Sequence, residues 1–201
     1  TKLYITAAHV NYGLRGNDSV KDELFVCEAA KKNKISYEVL RKKPSKKKNL
    51  QNSARDIRFK FFSEVALRHN SSIVATAHHM DDQAETVLLH LLRGTGIKGL
   101  SGMRPLTSFG RLKIIRPLLP FSKLDIVEYA GKFHVKYRED SSNKTLKYKR
   151  NEIRNKLLPI LLKYSPAAKN NLASVANRLA KEDNALSLIA DASFQEVLVF
   201  S

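Results

Sequence analysis

The chain has 201 residues, enough for one domain of ordinary size, and its 43% hydrophobic fraction is that of a globular protein with a real core. Its formal charge of +17 points first to a polyanion partner, since each Lys or Arg that meets a phosphate releases a condensed counterion; a membrane surface fits less well, because no long basic amphipathic helix is evident. No apolar run approaches the roughly 20 residues that span a bilayer, and residues 1–10 lack a signal-peptide layout. The single cysteine, Cys27, excludes an internal disulfide, a four-cysteine zinc site and a cysteine-held iron–sulfur cluster within one chain, so an intracellular, cytoplasmic protein is expected.

Residues 3–10 are rich in β-branched and small side chains and predict a strand, which runs into His9-Val10-Asn11-Tyr12-Gly13-Leu14-Arg15-Gly16. Two glycines flanking an arginine suit a loop near an anion, or an ordinary strand-to-helix turn. Ser19 and Asp22 have capping-box spacing for a helix over about 20–33, with Val20, Leu24 and Cys27 on its packing face. A strand over 35–40 follows, then a loop over 41–48 dense in Lys and Arg, read equally as a solvated loop or an RNA contact. Leu50, Ala54, Ile57, Phe61 and Val65 mark the buried face of a helix over about 50–69, with Arg55 and Arg58 elsewhere on its surface.

The stretch 73–103 carries the most information. It opens with an apolar run over 73–77, short enough for a buried strand, and passes into His78, His79, Asp81 and Asp82. Then Ala84, Val87, Leu88, Leu91 and Leu92 repeat with a helical period, up to the glycine-rich loop that begins at Gly94. A polar cluster at a strand end and helix start is where open parallel sheets place ligands. Asp82 lies three residues before Glu85, and Asp81 four, so either pair can share a face and hold a cation such as magnesium. An isolated Asp-x-x-Glu would read as a helix cap. Adjacent histidines and the closing Arg-Gly-Thr-Gly go beyond capping, and the string reads as a site.

Residues 112–115 predict another strand, and Ser122 with Asp125 a second capping box for a helix to about 133. Residues 137–143 are polar and turn-prone. Arg150 and Arg154 are four apart near the start of a helix running toward Leu162, so they project together and can bracket a phosphate or a flipped base. Pro166 marks a change; beyond it Leu172, Val175, Leu179, Leu186 and Ile189 predict one helix face to about 190, and residues 194–200 a strand or an apolar tail. The alternation of strands and helices predicts an α/β fold, a Rossmann-like parallel sheet with flanking helices, followed by a C-terminal helical segment.

The segment AHHMDDQAETVLLHLLRGTGIKGLSGM closely resembles the tRNA(Ile)-lysidine synthetase family of the pyrophosphate-loop ATPase superfamily. The likeness runs from Ala8 to about Pro159. It takes in a His-x-Asn-x-x-Leu-Arg stretch (with Tyr12 where the family usually has a second histidine), the Ala-Arg…Arg-x-x-Phe-Phe pattern from Ala54 to Phe62, and Arg-Glu-Asp-Ser-Ser-Asn followed by Tyr-x-Arg-Asn-x-Ile-Arg. The resemblance implies an adenine-nucleotide alpha hydrolase-like catalytic domain over 1–163 and the start of a helical tRNA-binding subdomain over 164–201. The superfamily's Ser-Gly-Gly-x-Asp-Ser phosphate loop does not occur in this sequence, so the first strand, that loop and the first helix are expected to be missing and the chain to be a fragment.

What the resemblance implies chemically is a carbon–nitrogen ligase. ATP adenylates the C2 oxygen of cytidine 34 in the CAU anticodon of isoleucine tRNA, and the amine of free L-lysine then displaces AMP. His79, Asp82, Glu85, Arg93, Arg150 and Arg154 are the implied catalytic set. His9, Asn11, Arg15, Gly94, Thr95 and Gly96 would meet the nucleotide, and Asp82 and Glu85 magnesium or the lysine ammonium. A homodimer is left open and no membrane is implied. The alternatives are a catalytically silent basic RNA-binding domain or another pyrophosphate-loop tRNA-modifying enzyme, although the thiolating members rely on cysteines and one is too few.

Overall fold

A computed structural model describes residues 3–45, 50–139 and 149–199, with side chains to 195. In chain order it contains β1 (Thr6–Asn11), α1 (Asn17–Lys32), β2 (Ser36–Arg41), α2 (Leu50–Arg68), β3 (Ile73–Ala75), α3 (Met80–Leu91), α4 (Ile97–Leu100), β4 (Leu106–Phe109), β5 (Leu112–Ile115), α5 (Lys123–Lys132), α6 (Lys149–Glu152), a π-helical turn (Ile153–Leu157), α7 (Leu158–Tyr164) and α8 (Ala168–Val199). The α/β class and the parallel strands with flanking helices are as expected. Two compact units emerge, Thr1–Val74 with Ser108–Ile114, and Ala75–Thr107 with Ile115–Ser201. Lys46, Lys47 and Lys48, the string from Asp140 through Asn143, Tyr148 and Phe200 lie outside the described residues.

In the first unit β1 and β2 pair in parallel, from Thr6 opposite Ser36 to Asn11 opposite Arg41. The helix between them departs from expectation. It begins at Asn17, and Ser19 is buried inside its first turn, where its hydroxyl accepts the Arg15 amide at 3.1 Å and caps nothing. Its inward residues are Ser19, Glu23 and Ala30, whereas Val20 and Leu24 are about half exposed. The reason is polar: Glu23 faces Asn11 and Arg41, so a carboxylate rather than an apolar stripe decides which way α1 turns. On α2, Phe61 and Val65 are buried as predicted, and so is Phe59, which the helical period did not select. The Arg55 and Arg58 guanidiniums lie 5.1 and 5.7 Å from the Phe59 ring centroid, and the Phe109 ring sits 5.0 Å away.

Strands β3, β5 and β4 form a three-stranded sheet in that order. The Lys113 amide donates to the Ser72 carbonyl at 2.7 Å and the Thr76 amide to that of Ile115 at 3.0 Å, so partners rise together and β3 runs parallel to β5. A two-residue turn with Gly110 at φ 57° reverses the chain from β4 to β5. Strand β4 was not predicted; the two strands predicted over 73–77 and 112–115 pair directly with each other as β3 and β5. Nor is β3 buried, since Ile73 is half exposed.

The second unit is built around α3. Ala84 and Leu88 pack with Ile153 and Leu158 in one core cluster, bordered by Leu89, Leu157, Leu161 and Leu172. Leu91 and Leu92, the last residues of the predicted stripe, are exposed. Ser122 and Asp125 form the expected capping box at α5, with Ser122 N–H donating to Asp125 at 2.7 Å and Asp125 N–H to the Ser122 hydroxyl at 3.1 Å. Helix α8 is uninterrupted to Val199, so 194–199 is neither strand nor tail. Its buried residues include Ala168, Ala173 and Ala176; Val175, Leu186 and Ile189 face out. Small side chains let α8 lie close to its neighbours, and a search for large apolar residues misses that face.

Candidate active site

Helix α3 starts where the chain leaves β3. His79 takes an extended conformation as N-cap, and the Asp82 carboxylate reaches back to accept its amide at 3.1 Å. His79 Nε2 lies 3.4 Å from the same Asp82 oxygen, while its buried Nδ1 has no hydrogen-bond partner among the described residues. Asp81 turns the other way, accepting the Lys123 amide at 3.0 Å and the Lys169 ammonium of α8. Burial would raise the Asp81 pKa, but Lys169 and that amide outweigh it and hold the carboxyl below its ordinary value.

One turn further on sits Glu85, 1% exposed. A carboxylate so buried must be paired. Arg150 Nε donates to Glu85 at 2.8 Å, Arg154 Nε at 2.5 Å and Arg154 Nη2 at 3.0 Å. The same guanidiniums reach Asp82 Oδ1 at 3.4 and 3.3 Å, and Arg150 Nη2 also meets the Asp82 carbonyl at 3.2 Å. Four side chains, drawn from segments far apart in sequence, thus form one network of two acids and two bases. Burial would lower the Arg154 pKa, but Glu85 and then Asp82 more than compensate and raise it. Arg154 stands in the π-helical turn, a wide turn often found at functional sites, and the arginines at four-residue spacing converge on one carboxylate.

The magnesium expected at Asp82 and Glu85 does not fit this arrangement. Both Glu85 oxygens and Asp82 Oδ1 accept guanidinium N–H groups, and Asp82 Oδ2 accepts the His79 amide. A hard cation needs several oxygens to itself and would have to displace an arginine. Among the described residues no group of three or more His, Cys, Asp or Glu side chains is placed to hold a metal.

His79, Asp82, Glu85, Arg150 and Arg154 therefore come together. Arg93, Gly94, Thr95 and Gly96 are exposed at the opposite end of α3, and eleven residues at about 1.5 Å each put Arg93 some 16 Å along the axis from Asp82. His9, Asn11 and Arg15 belong to the first unit. There Asn11 is buried and donates its amide to Glu23 at 2.8 Å and to the Ser19 carbonyl at 3.2 Å, while Arg15 pairs with Asp22 at 2.5 Å. Burial lowers the His9 pKa against the pull of Glu23 and Asp22. Asn11 and Arg15 thus already have structural partners.

Three residues were missed. Lys169 holds Asp81; Thr86 lies within 3.5 Å of Arg150 and donates to the Asp82 carbonyl at 2.7 Å. Gln83, 1% exposed, makes a two-bond clamp on Met103, accepting its amide at 2.7 Å and donating to its carbonyl at 3.0 Å. The signal for Gln83 was available: it shares the apolar face with Val87, and a polar residue inside such a stripe needs a buried partner.

Residues 1–161 match the family model described as the PP-loop domain. Curated relatives include the tRNA(Ile)-lysidine synthase of Parabacteroides distasonis, 36% identical over 96% of this chain and 44% of the relative. That of Bacillus subtilis is 35% identical over 96% of this chain and 42% of its own length, and that of Chlorobaculum tepidum 42% identical over 77% and 47%. The chain thus spans less than half the length of the curated relatives it matches. Among solved structures, the U34-tRNA thiolase NcsA from Methanococcus maripaludis with its 4Fe-4S cluster superposes with a TM-score of 0.67 at 21% identity, covering 89% of this chain and 62% of that one. At that identity the likeness concerns the fold alone.

Proposed function

Because the chain belongs to the PP-loop domain family, we propose that it carries the chemistry of a tRNA(Ile)-lysidine synthase. In that reaction the C2 oxygen of cytidine 34 attacks the α-phosphorus of ATP and pyrophosphate leaves. The amine of lysine then bonds to C2, AMP departs with the oxygen, and the amine loses its proton. The observation that carries this reading is 36% identity to such a synthase along 96% of the chain.

The network supplies suitable groups. Glu85 is the anchor, buried and bonded to both arginines. Asp82 is the adaptable member: its side chain is 15% exposed and its guanidinium contacts, at 3.3 and 3.4 Å, are long. It can exchange one of them for the ammonium of incoming lysine. Arg150 and Arg154, side chains 35% and 30% exposed, present positive charge toward an anticodon nucleotide or the phosphate activated on it. His79, with its Nε2 3.4 Å from Asp82, would serve proton traffic in this reading. No step is assigned to magnesium on these carboxylates, whose oxygens are committed.

The +17 charge also suits a catalytically silent RNA-binding domain. Incubation of the protein, in a form that carries a phosphate loop, with ATP, lysine and isoleucine tRNA bearing CAU separates the two readings. The ligase releases pyrophosphate only when that tRNA is present, and releases AMP and forms lysidine only when lysine is added as well; RNA binding without either release would establish the silent domain.

A further inference from the structure

Asp81 and Asp82 are neighbours in the first turn of α3, and by exposure either could receive a cation, since their side chains are 11% and 15% accessible. They flank one imidazole. His79 Nδ1 lies 4.0 Å from Asp81 Oδ1, and Nε2 of the same ring 3.4 Å from Asp82 Oδ2. The Asp81 charge also helps to raise the Arg154 pKa, so Asp81 belongs electrostatically to the acid–arginine network. Glu85, sealed at 1% exposure, offers no third choice to an arriving ligand.

Partners, not exposure, separate the two aspartates. Asp82 keeps its guanidiniums at 3.3 and 3.4 Å, whereas Asp81 is taken up by the Lys123 amide at 3.0 Å and by the Lys169 ammonium. Helix packing delivers that ammonium. Ala168 and Ala173 beside it on α8 are buried, and Leu172, one turn on, borders the core cluster that contains Ala84. Lys169 precedes Leu172 by three residues as Asp81 precedes Ala84, so on each helix the ion pair and the core contact share a side. A lysine of the protein itself thus sits on one of the two accessible carboxylates beside His79. It carries the same primary ammonium as the amine consumed in the proposed reaction.

We propose that Lys169 is a positioning residue for the amine substrate: it occupies Asp81 as an internal ammonium, so that an incoming alkylammonium is left Asp82 as its carboxylate. Without Lys169 two anionic sites would compete across the breadth of one imidazole, and an amine held on Asp81 would be misplaced for attack. Misplacement by even about 1 Å can cost on the order of a hundredfold in rate. The proposal rests on the lysidine reading for the identity of the amine, while the masking of Asp81 is testable by itself.

The test is a calorimetric titration of L-lysine into wild type, Asp82→Asn, Lys169→Met and Asp82→Asn/Lys169→Met, with the unfolding temperature of each followed in parallel. Lys169→Gln replaces Lys169→Met should the latter not fold. Asp82→Asn loses roughly tenfold or more in affinity, the worth of a charge-assisted hydrogen bond. The double variant regains it, because Asp81 is then open, and adding Asp81→Asn abolishes the gain. In lysidine formation by a form that carries a phosphate loop, Lys169→Met lowers kcat and the KM for lysine together by about tenfold, as non-productive binding does, with kcat/KM near wild type. Lys169→Arg, which keeps a cation on Asp81, restores both. A double variant that binds lysine no better than Asp82→Asn overturns the proposal. So does a Lys169→Met enzyme whose kcat/KM drops at unchanged KM, the mark of a merely structural pair. Lysine bound by Lys169→Met but not by wild type, in a protein that forms no lysidine, upholds the masking and removes the lysidine reading.

Discussion

Glu85 and Asp82 lie one turn apart on α3 and share the same two arginines, yet their substitutions should differ. Glu85 is sealed, and its removal strands two guanidiniums that were oriented around it; Glu85→Ala is expected to cost roughly 2–4 kcal/mol, read from thermal or denaturant unfolding. Asp82 makes longer contacts at a more open position, so Asp82→Asn should cost less than about 1 kcal/mol while suppressing lysine incorporation. Equal destabilisation by both changes would contradict this division of roles. Glu23, in the other unit, offers a pH test. Hydrogen bonds from Arg41 and then Asn11 lower its pKa to about 2 from 4.5. A carboxylate with a depressed native pKa contributes fully above its unfolded value and loses that contribution as pH falls toward the native one. Unfolding temperature should therefore fall between about pH 4.5 and 2, and Glu23→Gln should flatten that decline while lowering stability at neutral pH.

At the scale of elements, α3 is the part whose partners explain most. Gln83 on its buried side clamps Met103, and Gly102 beside it sits at φ 61°, where an added Cβ would come within 2.7 Å of the Gln83 side-chain oxygen. Gly102→Ala combines backbone strain with that clash and is expected to destabilise by about 1–3 kcal/mol, measurable by thermal unfolding. Rescue by Gln83→Ala in the double variant would confirm the clash; strict additivity would leave strain alone. Sequence patterns reached these elements unevenly. Residues 112–115 and the Ser122 box were legible because an alternating strand and a reciprocal cap are local signals. Convergence of Arg150 and Arg154 on Glu85 was half legible: spacing placed the arginines together, but nothing local says which carboxylate they meet across some 65 residues. The orientation of α1 was illegible, because Glu23 turns inward only once Arg41 arrives from β2. On α8 the buried face is written in alanines, and periodicity of large residues selected the exposed side.

At the scale of the whole molecule, the excess of 36 basic over 19 acidic residues is what a polyanion partner would meet first. Some of those cations are committed internally, as Arg150, Arg154, Arg104 and Lys169 show, so the charge open to RNA is smaller than the formal figure. Affinity for tRNA should still fall at least tenfold between about 50 and 200 mM salt, in a fluorescence-anisotropy titration, if even a few phosphates are contacted. Salt-independent binding would point to apolar or base-stacking contacts instead. No helix among the described residues is long and apolar enough to cross a membrane.

The joint action of the acids of α3 and the arginines of the π-helical region is tested most directly by mass spectrometry of the anticodon nucleoside. Isoleucine tRNA bearing CAU would be incubated with ATP, lysine and either wild type or Arg150→Lys, the variant keeping its charge but losing the Nε bond to Glu85. Lysidine should accumulate with wild type and fall by about a hundredfold or more with the variant, at unchanged unfolding temperature within a few degrees. Equal accumulation with both proteins, or none with wild type, would contradict it.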